Sequence, residues 1–131
     1  MIGLDTNVLV RYVLADDPAQ YDLAATLIST LDESNRAFVS LVALVEMSWV
    51  LSRGYDVPRS RIGDVIKELV EAQEVILEQE DLVRRAVAKL DQGADFADAV
   101  IAELGADAGC HETVTFDRRA SSRAGMGLLT G

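Results

Sequence analysis

The alternation of short apolar segments with longer amphipathic ones is the feature that most constrains the fold of this chain. This pattern is typical of a parallel β-sheet covered by helices. The predicted strands cover residues 2–4, 37–40, 75–77, 113–116 and 127–129. The predicted helices cover residues 8–14, 19–31, 41–53, a segment opened by Pro58, 81–90 and 96–104. The sequence therefore predicts an α/β fold: a doubly wound parallel sheet of about four to five short strands flanked by helices.

Length and composition set the expected organisation. A chain of 131 residues with 50% hydrophobic residues predicts a single domain, residues 1–131, with its own core. No apolar run approaches the roughly 20 residues that span a bilayer, and the first residues lack the pattern of a secretory signal. The single cysteine, Cys110, cannot form an internal disulfide. We therefore expect a cytoplasmic protein with no membrane partner.

The net charge of -10 bears on the class of partner. Proteins that bind nucleic acid usually present a basic surface to the phosphates. Such a partner remains compatible with this chain if several of the acids form one cluster that holds divalent cations, because the cations reverse the local charge.

Two acidic residues follow predicted strands. Asp5 comes directly after the first strand and Asp117 directly after the strand at 113–116. In open α/β sheets the ligand site lies outside the carboxyl ends of the strands, so both residues are candidates for such a site. From local sequence alone, Asp5 is explained equally well as a helix cap. Asp117, taken alone, is explained as a turn residue.

Glu46 lies in a helix that is apolar on nearly every face, which predicts a buried helix with Trp49 in the core. A buried carboxylate is costly unless it is paired, hydrogen-bonded or bound to a metal. A salt bridge to Arg11 or Arg53 is the structural alternative to a site for Glu46.

Asp95 and Asp98 are three residues apart, which places both carboxylates on one face of a helix start. The small and apolar residues around Asp98 predict that this turn packs inward. The alternative is a helix cap at Asp95 followed by an acid in the first turn.

Four segments in this order resemble PIN domains: IGLDTNVLVR at 2–11, Glu46, DFADAVIA at 95–102 and TFD at 115–117. The resemblance covers essentially the whole chain and is closest to VapC-type toxins of bacterial toxin–antitoxin pairs. It implies a PIN-like sheet, a ribonuclease that depends on Mg²⁺ or Mn²⁺, a homodimer, and inhibition by a small cognate antitoxin.

Residue by residue, the resemblance implies an acidic catalytic site of Asp5, Glu46, Asp98 and Asp117, with Asp95 as an additional member. The same four principal acids are the expected ligands of one or two ions. Asp5 and Asp98 are expected to contact metal most directly, Asp117 to bind a second ion, and Glu46 to act through water as a base or positioning group.

Four polar residues are the predicted substrate-binding set. Thr6 and Asn7 match the polar pair after the first acid and are expected to orient that carboxylate or a water molecule. Arg11 lies one turn beyond Asn7 and is expected to reach a scissile phosphate or an antitoxin carboxylate. Arg118, beside Asp117, is the best placed of the other arginines, although a solvated role is equally open.

Other classes of function fit less well. An aspartyl phosphatase needs a second aspartate where this chain has Asn7, and a receiver domain needs a late lysine, whereas none follows Lys89. A catalytically silent PIN-fold interaction module remains the alternative. The apolar positions of the second helix are equally open to a role in the core or in an antitoxin groove; they are Leu23, Leu27, Ile28 and Leu31.

Overall fold

The computed structural model describes residues 1–130 and confirms the predicted alternation of strands and helices. The strands are β1 Ile2–Gly3, β2 Ala37–Val39, β3 Val75–Leu77, β4 Val114–Thr115 and β5 Gly127–Leu128. The helices are α1 Thr6–Leu14, α2 Pro18–Ser29, α3 Leu41–Trp49, α4 Arg59–Glu71, α5 Glu80–Leu90, α6 Phe96–Asp107 and α7 Arg118–Ala124. A π-helical turn, Val50–Gly54, continues α3.

All strand pairings within residues 1–130 are parallel, as predicted. The order β1-β2-β3 forms one sheet, in which Ile2 pairs with Ala37 and Ala37 with Val75. The strands β4 and β5 form a second sheet. The α/β class is thus confirmed, whereas the expected single sheet is divided in two. Because β1 and β4 are each two residues long, few backbone groups are available for a ladder between them.

Polar side chains begin the first three helices. Asp5 caps α1, Asp17 caps α2 ahead of Pro18, and Ser40 caps α3, each accepting a hydrogen bond from a backbone N–H three residues later. These bonds satisfy amides that have no partner inside the helix. The helix starts are therefore fixed by residue types visible in the sequence.

The short helix α7 was not predicted. Asp117 caps it, so the prediction of a turn at this residue is wrong. The segment carries no apolar periodicity and buries only Ala120 and Ala124. A helix whose buried side chains are two alanines leaves little trace in the hydrophobic pattern.

Helix α3 has one buried face and one exposed face. Leu44 and Met47 are fully buried, whereas Val42 is 77% exposed and Trp49 is 55% exposed. The predictions of a helix buried on every side and of Trp49 in the core are therefore wrong. Apolar residues on both faces of a helix indicate that both faces avoid water. They do not indicate that the same chain covers both faces.

Helix α2 contributes little to the core. Ala24 is its buried residue, Leu23 is exposed, and Leu27 and Ile28 are half-buried. Leu27 and Leu31 pack against the core, whereas Leu23 faces solvent, and a role of this segment in an antitoxin groove stays a prediction. No helix within residues 1–130 has the length and apolarity to cross a membrane.

Two phenylalanines provide a matched test of this core. Phe96 is 2% exposed and Phe116 is 80% exposed. We expect Phe96→Ala to lower the free energy of unfolding by about 3–5 kcal/mol, because it removes a buried ring and leaves a cavity. Phe116→Ala should change it by no more than about 0.5 kcal/mol. Urea denaturation measures both, and equal effects would contradict the described packing.

Candidate active site

Asp5 stands two residues beyond the end of β1. The backbone N–H of Leu4 donates to the Phe38 carbonyl at 2.9 Å, which fixes the chain at this sheet edge. The Asp5 Oδ1 atom accepts from the backbone N–H of Val8 at 3.1 Å, and the side chain is exposed. Asp5 is therefore a helix cap at the carboxyl end of a strand, so the two interpretations of this residue are compatible.

Glu46 and Thr6 connect α3 to the start of α1. The buried Thr6 hydroxyl donates a hydrogen bond to the Glu46 carboxylate. Thr6 thus orients Glu46, where the expectation was that it would orient Asp5. The predictions that Glu46 is buried and pairs with Arg11 or Arg53 are wrong, because its side chain is exposed and its partner is a hydroxyl.

Arg11 is held away from Glu46. Its Nη1 atom lies 3.0 Å from each carboxylate oxygen of Asp16 and donates to the Tyr55 hydroxyl at 3.2 Å. The hydrogen bond to Tyr55 and the interaction with Asp16 raise the pKa of the Arg11 guanidinium. Its role toward phosphate or an antitoxin remains a prediction.

Three carboxylates on α6 and α7 influence one another. Partial burial, followed by the negative charges of Asp95 and Asp117, raises the pKa of Asp98. Asp95 occupies the cap position of α6 and Asp98 lies in its first turn, as the alternative interpretation had it, but the Asp95 side chain makes no capping hydrogen bond. The Asp117 Oδ1 atom accepts from the backbone N–H groups of Arg119 and Ala120 at 2.8 and 3.0 Å. We call these three residues the α6–α7 acidic group.

The predicted acids therefore fall into two sets: Asp5 and Glu46 on either side of Thr6, and the α6–α7 acidic group. Within residues 1–130, no three side chains among the His, Cys, Asp and Glu residues are arranged to hold a metal ion. The gathering of four or five acids around one or two ions stays a prediction.

The ligand chemistry of these acids suits a divalent cation. Every candidate donor is a carboxylate, which is the hard oxygen ligand that Mg²⁺ and Mn²⁺ prefer. Partial burial and the negative charges of Asp95 and Asp117 raise the pKa of Asp98. A bound cation would offset the repulsion between these charges. The α6–α7 acidic group thus fits a hard divalent cation by ligand type and charge.

The remaining predicted residues lie at the surface. Asn7 and Arg11 share with Asp5 an open pocket of about 380 Å³, and Arg118 is exposed directly after Asp117. Their placement beside acids of both sets agrees with a substrate-binding role but does not test it.

Glu78 makes a contact that sequence reasoning missed. Its Oε1 atom accepts from the backbone N–H of Leu41 at 2.8 Å, which secures the first turn of α3, the helix that carries Glu46. Glu78 follows β3 directly, so the criterion of an acid at the carboxyl end of a strand would have found it. Glu46 and Glu78 line the same groove of about 600 Å³.

Comparison with known families gives one match. A family model described as PIN domain matches residues 2–126, a span that includes every acid of both sets. No curated protein and no solved structure matches the chain significantly.

The raised pKa of Asp98 predicts a gain in stability on its replacement. An acid whose pKa is raised in the folded state binds its proton more tightly there than in the unfolded chain. The free energy of unfolding therefore falls as the pH rises from the unfolded-state pKa to the folded-state pKa. We expect Asp98→Asn to raise the melting temperature of the metal-free protein at neutral pH. This advantage should disappear in acid below the ordinary carboxyl pKa, where Asp98 is neutral in both states.

Thermal denaturation in chelator measures this effect. Asp107→Asn is a matched control on the same helix, because Asp107 is paired with Arg85 and its neutralisation should leave the melting temperature unchanged or lower. A lower melting temperature for Asp98→Asn at neutral pH contradicts the described repulsion.

Proposed function

The chain belongs to the PIN domain family, and from this premise we propose that it is a metal-dependent endoribonuclease, the toxin of a VapC-type toxin–antitoxin pair. Family membership gives a nuclease-type function, that is, a hydrolase that acts on nucleic acid. The proposal adds five points to this: RNA as the substrate, Mg²⁺ or Mn²⁺ as the ion, a cognate antitoxin, a single domain over residues 1–131, and action in the cytoplasm. The observation that carries it is the match to the PIN domain over residues 2–126, supported by the partly buried Asp98 beside the carboxylates of Asp95 and Asp117.

Asp98 and Asp5 are the proposed principal metal ligands, with Asp117 as ligand to a second ion. One or two bound ions supply charge neutralisation at the phosphodiester and activation of water at neutral pH. Because the pKa of Asp98 is raised without a cation, its carboxylate gains more from binding one than an isolated aspartate does. Asp95 adds negative charge beside Asp98 and strengthens this attraction.

Glu46 is the proposed base or positioning group. Its side chain is exposed, and the Thr6 hydroxyl, held in the core, fixes one of its oxygens. The other oxygen is the one proposed to orient a water molecule and accept its proton. Thr6 therefore acts on the reaction through Glu46.

Recognition of the phosphate is assigned to Arg118 and Asn7. Arg118 is exposed beside Asp117, and a guanidinium matches the geometry of phosphate oxygens. Arg11 is already engaged by Asp16 and Tyr55, so its contribution requires a substrate or an antitoxin carboxylate that competes with Asp16. An accessible, single-stranded RNA backbone suits so acidic a site best.

We propose that the homodimer forms through exposed apolar side chains of α3 and α6. This α3–α6 apolar surface consists of Val42, Trp49, Ile101 and Leu104, which are all exposed and line one groove. Exposed apolar residues gathered in one patch mark interaction sites more often than isolated ones do. Because Glu46 lines the same groove, dimerisation would bring the two copies together close to their acidic sites.

A second apolar pocket is the proposed antitoxin site. It has a volume of about 260 Å³ and lies between α1, α2 and α4, with Ile28, Leu31, Val65 and Leu69 among its lining. An amphipathic helix places its apolar side chains into such a groove. The half-buried side chains of α2 then contribute to both the core and the partner.

A catalytically silent PIN-fold interaction module is the second candidate. It is favoured by the exposed α3–α6 apolar surface, which suits a protein partner. The two candidates differ in one measurable property, since a silent module binds no Mn²⁺ through Asp98.

The proposed activity is tested on a mixed pool of cellular RNA with purified, antitoxin-free protein. We expect cleavage with Mn²⁺, none with chelator, and a loss of at least about a hundredfold for Asp98→Asn, because removal of one charged ligand disables the ion. Thr6→Val should reduce the rate less, since it frees Glu46 without removing it. Cleavage that persists in Asp98→Asn identifies a contaminant, and inactivity on all RNA supports the silent module.

The dimer is tested by Trp49→Glu. Trp49 is exposed in the single chain, so the substitution should leave the folded chain intact while it places a charge in the proposed interface. We expect a monomer by analytical ultracentrifugation, whereas Leu23→Glu, at an exposed position on α2, should remain a dimer. A dimeric Trp49→Glu protein would assign the interface to another surface.

A further inference from the structure

Helix α5 holds α6 through a network of ion pairs. The Nε atom of Arg85 lies 2.9 Å from Glu103 and its Nη2 atom lies 2.7 Å from Asp107. The Lys89 ammonium lies 3.1 Å from the other oxygen of Glu103. Glu103 is the centre of this network, with a side chain only 14% exposed, and the two cations lower its pKa.

Lys89 also reaches α7. Its Nζ atom donates to the carbonyl of Ala124, the last residue of α7, at 3.4 Å. The Arg123 guanidinium adds a bond to the Gln92 carbonyl at 3.5 Å and lies over Gly93, where a Cβ would come within 3.2 Å of the arginine chain. The end of α7 is thus fixed to the turn between α5 and α6.

These contacts connect the helices that carry the α6–α7 acidic group. Asp98 is in the first turn of α6 and Asp117 caps α7. The Lys89 ammonium contacts α6 at Glu103 and α7 at its last residue, while Arg85 holds the last residue of α6, Asp107. An α-helix is stiff over such lengths, so fixing its last turns also fixes where its first turn points. The separation of Asp98 and Asp117 therefore depends on a residue that contacts neither.

We propose that Lys89 is a positioning residue: by linking Glu103 of α6 to the Ala124 carbonyl of α7, it sets the geometry in which Asp98 and Asp117 bind a divalent cation. The inference rests on the proposed function, because it takes these two carboxylates to be metal ligands. Mutation of residues that orient the metal ligands commonly weakens metal affinity by about tenfold to a hundredfold.

The test is the affinity of the full chain for Mn²⁺, measured by isothermal titration calorimetry on the wild type and on Lys89→Met. Methionine keeps an unbranched apolar chain and removes the ammonium. We expect Mn²⁺ to bind at least about tenfold more weakly to the variant. Loss of a positive charge strengthens cation binding by electrostatics alone, so a weaker affinity reports altered geometry.

Arg84→Met is the matched control. Arg84 lies on the same helix and forms ion pairs with Glu71 and Glu80, neither of which lies on α6 or α7. The substitution removes the same charge, and the Mn²⁺ affinity should stay unchanged or rise slightly. Lys89→Arg, which keeps a cationic donor, should recover most of the wild-type affinity.

Thermal denaturation of every variant separates positioning from general stability, because a merely structural lysine lowers the melting temperature without changing Mn²⁺ affinity in the folded protein. If Lys89→Met does not fold, Lys89→Gln takes its place, because it also removes the ammonium charge and should weaken Mn²⁺ binding in the same direction. Wild-type affinity in the folded variant overturns this inference alone. Absence of Asp98-dependent Mn²⁺ binding in the wild type overturns the proposed function and this inference with it.

Discussion

The partial burial of Asp98 beside the charges of Asp95 and Asp117, at the starts of α6 and α7, is the constraint that the surrounding contacts offset. Asp98 is partly buried beside Asp95 and Asp117, an arrangement that opposes folding unless other contacts hold the helices in place. The α5 ion pairs and the backbone bonds to Asp117 supply such contacts. The α6–α7 acidic group is therefore supported by interactions outside the group itself.

Helix α3 connects Glu46, which belongs to the other set of acids, to the α3–α6 apolar surface. Its inner face fills the core, its first turn is held by Glu78, and the Thr6 hydroxyl fixes Glu46 on its outer side. The exposed Val42 and Trp49 lie on the same helix. Whatever covers this outer side therefore also approaches Glu46, which couples partner binding to the proposed chemistry.

Much of the fold was predictable because its signals are local. Cap residues mark the starts of the early helices, and the segment Val75–Leu77 stands out as an apolar strand. Signals that depend on packing were misread. Helix α7 contacts the core through small side chains, and Trp49 resembles a core residue although the chain leaves it uncovered. The roles assigned to the site residues stay predictions.

The sequence by itself determined the α/β class, the order of the elements and the positions of the acids relative to strand ends, because caps and apolar periodicity act over a few neighbouring residues. Only the tertiary structure decided the partners of those acids. Glu46 meets Thr6 across forty positions of sequence, Arg11 turns to Asp16 and Tyr55, and Lys89 joins α6 to α7. Such contacts depend on how whole helices pack, so no local pattern specifies them.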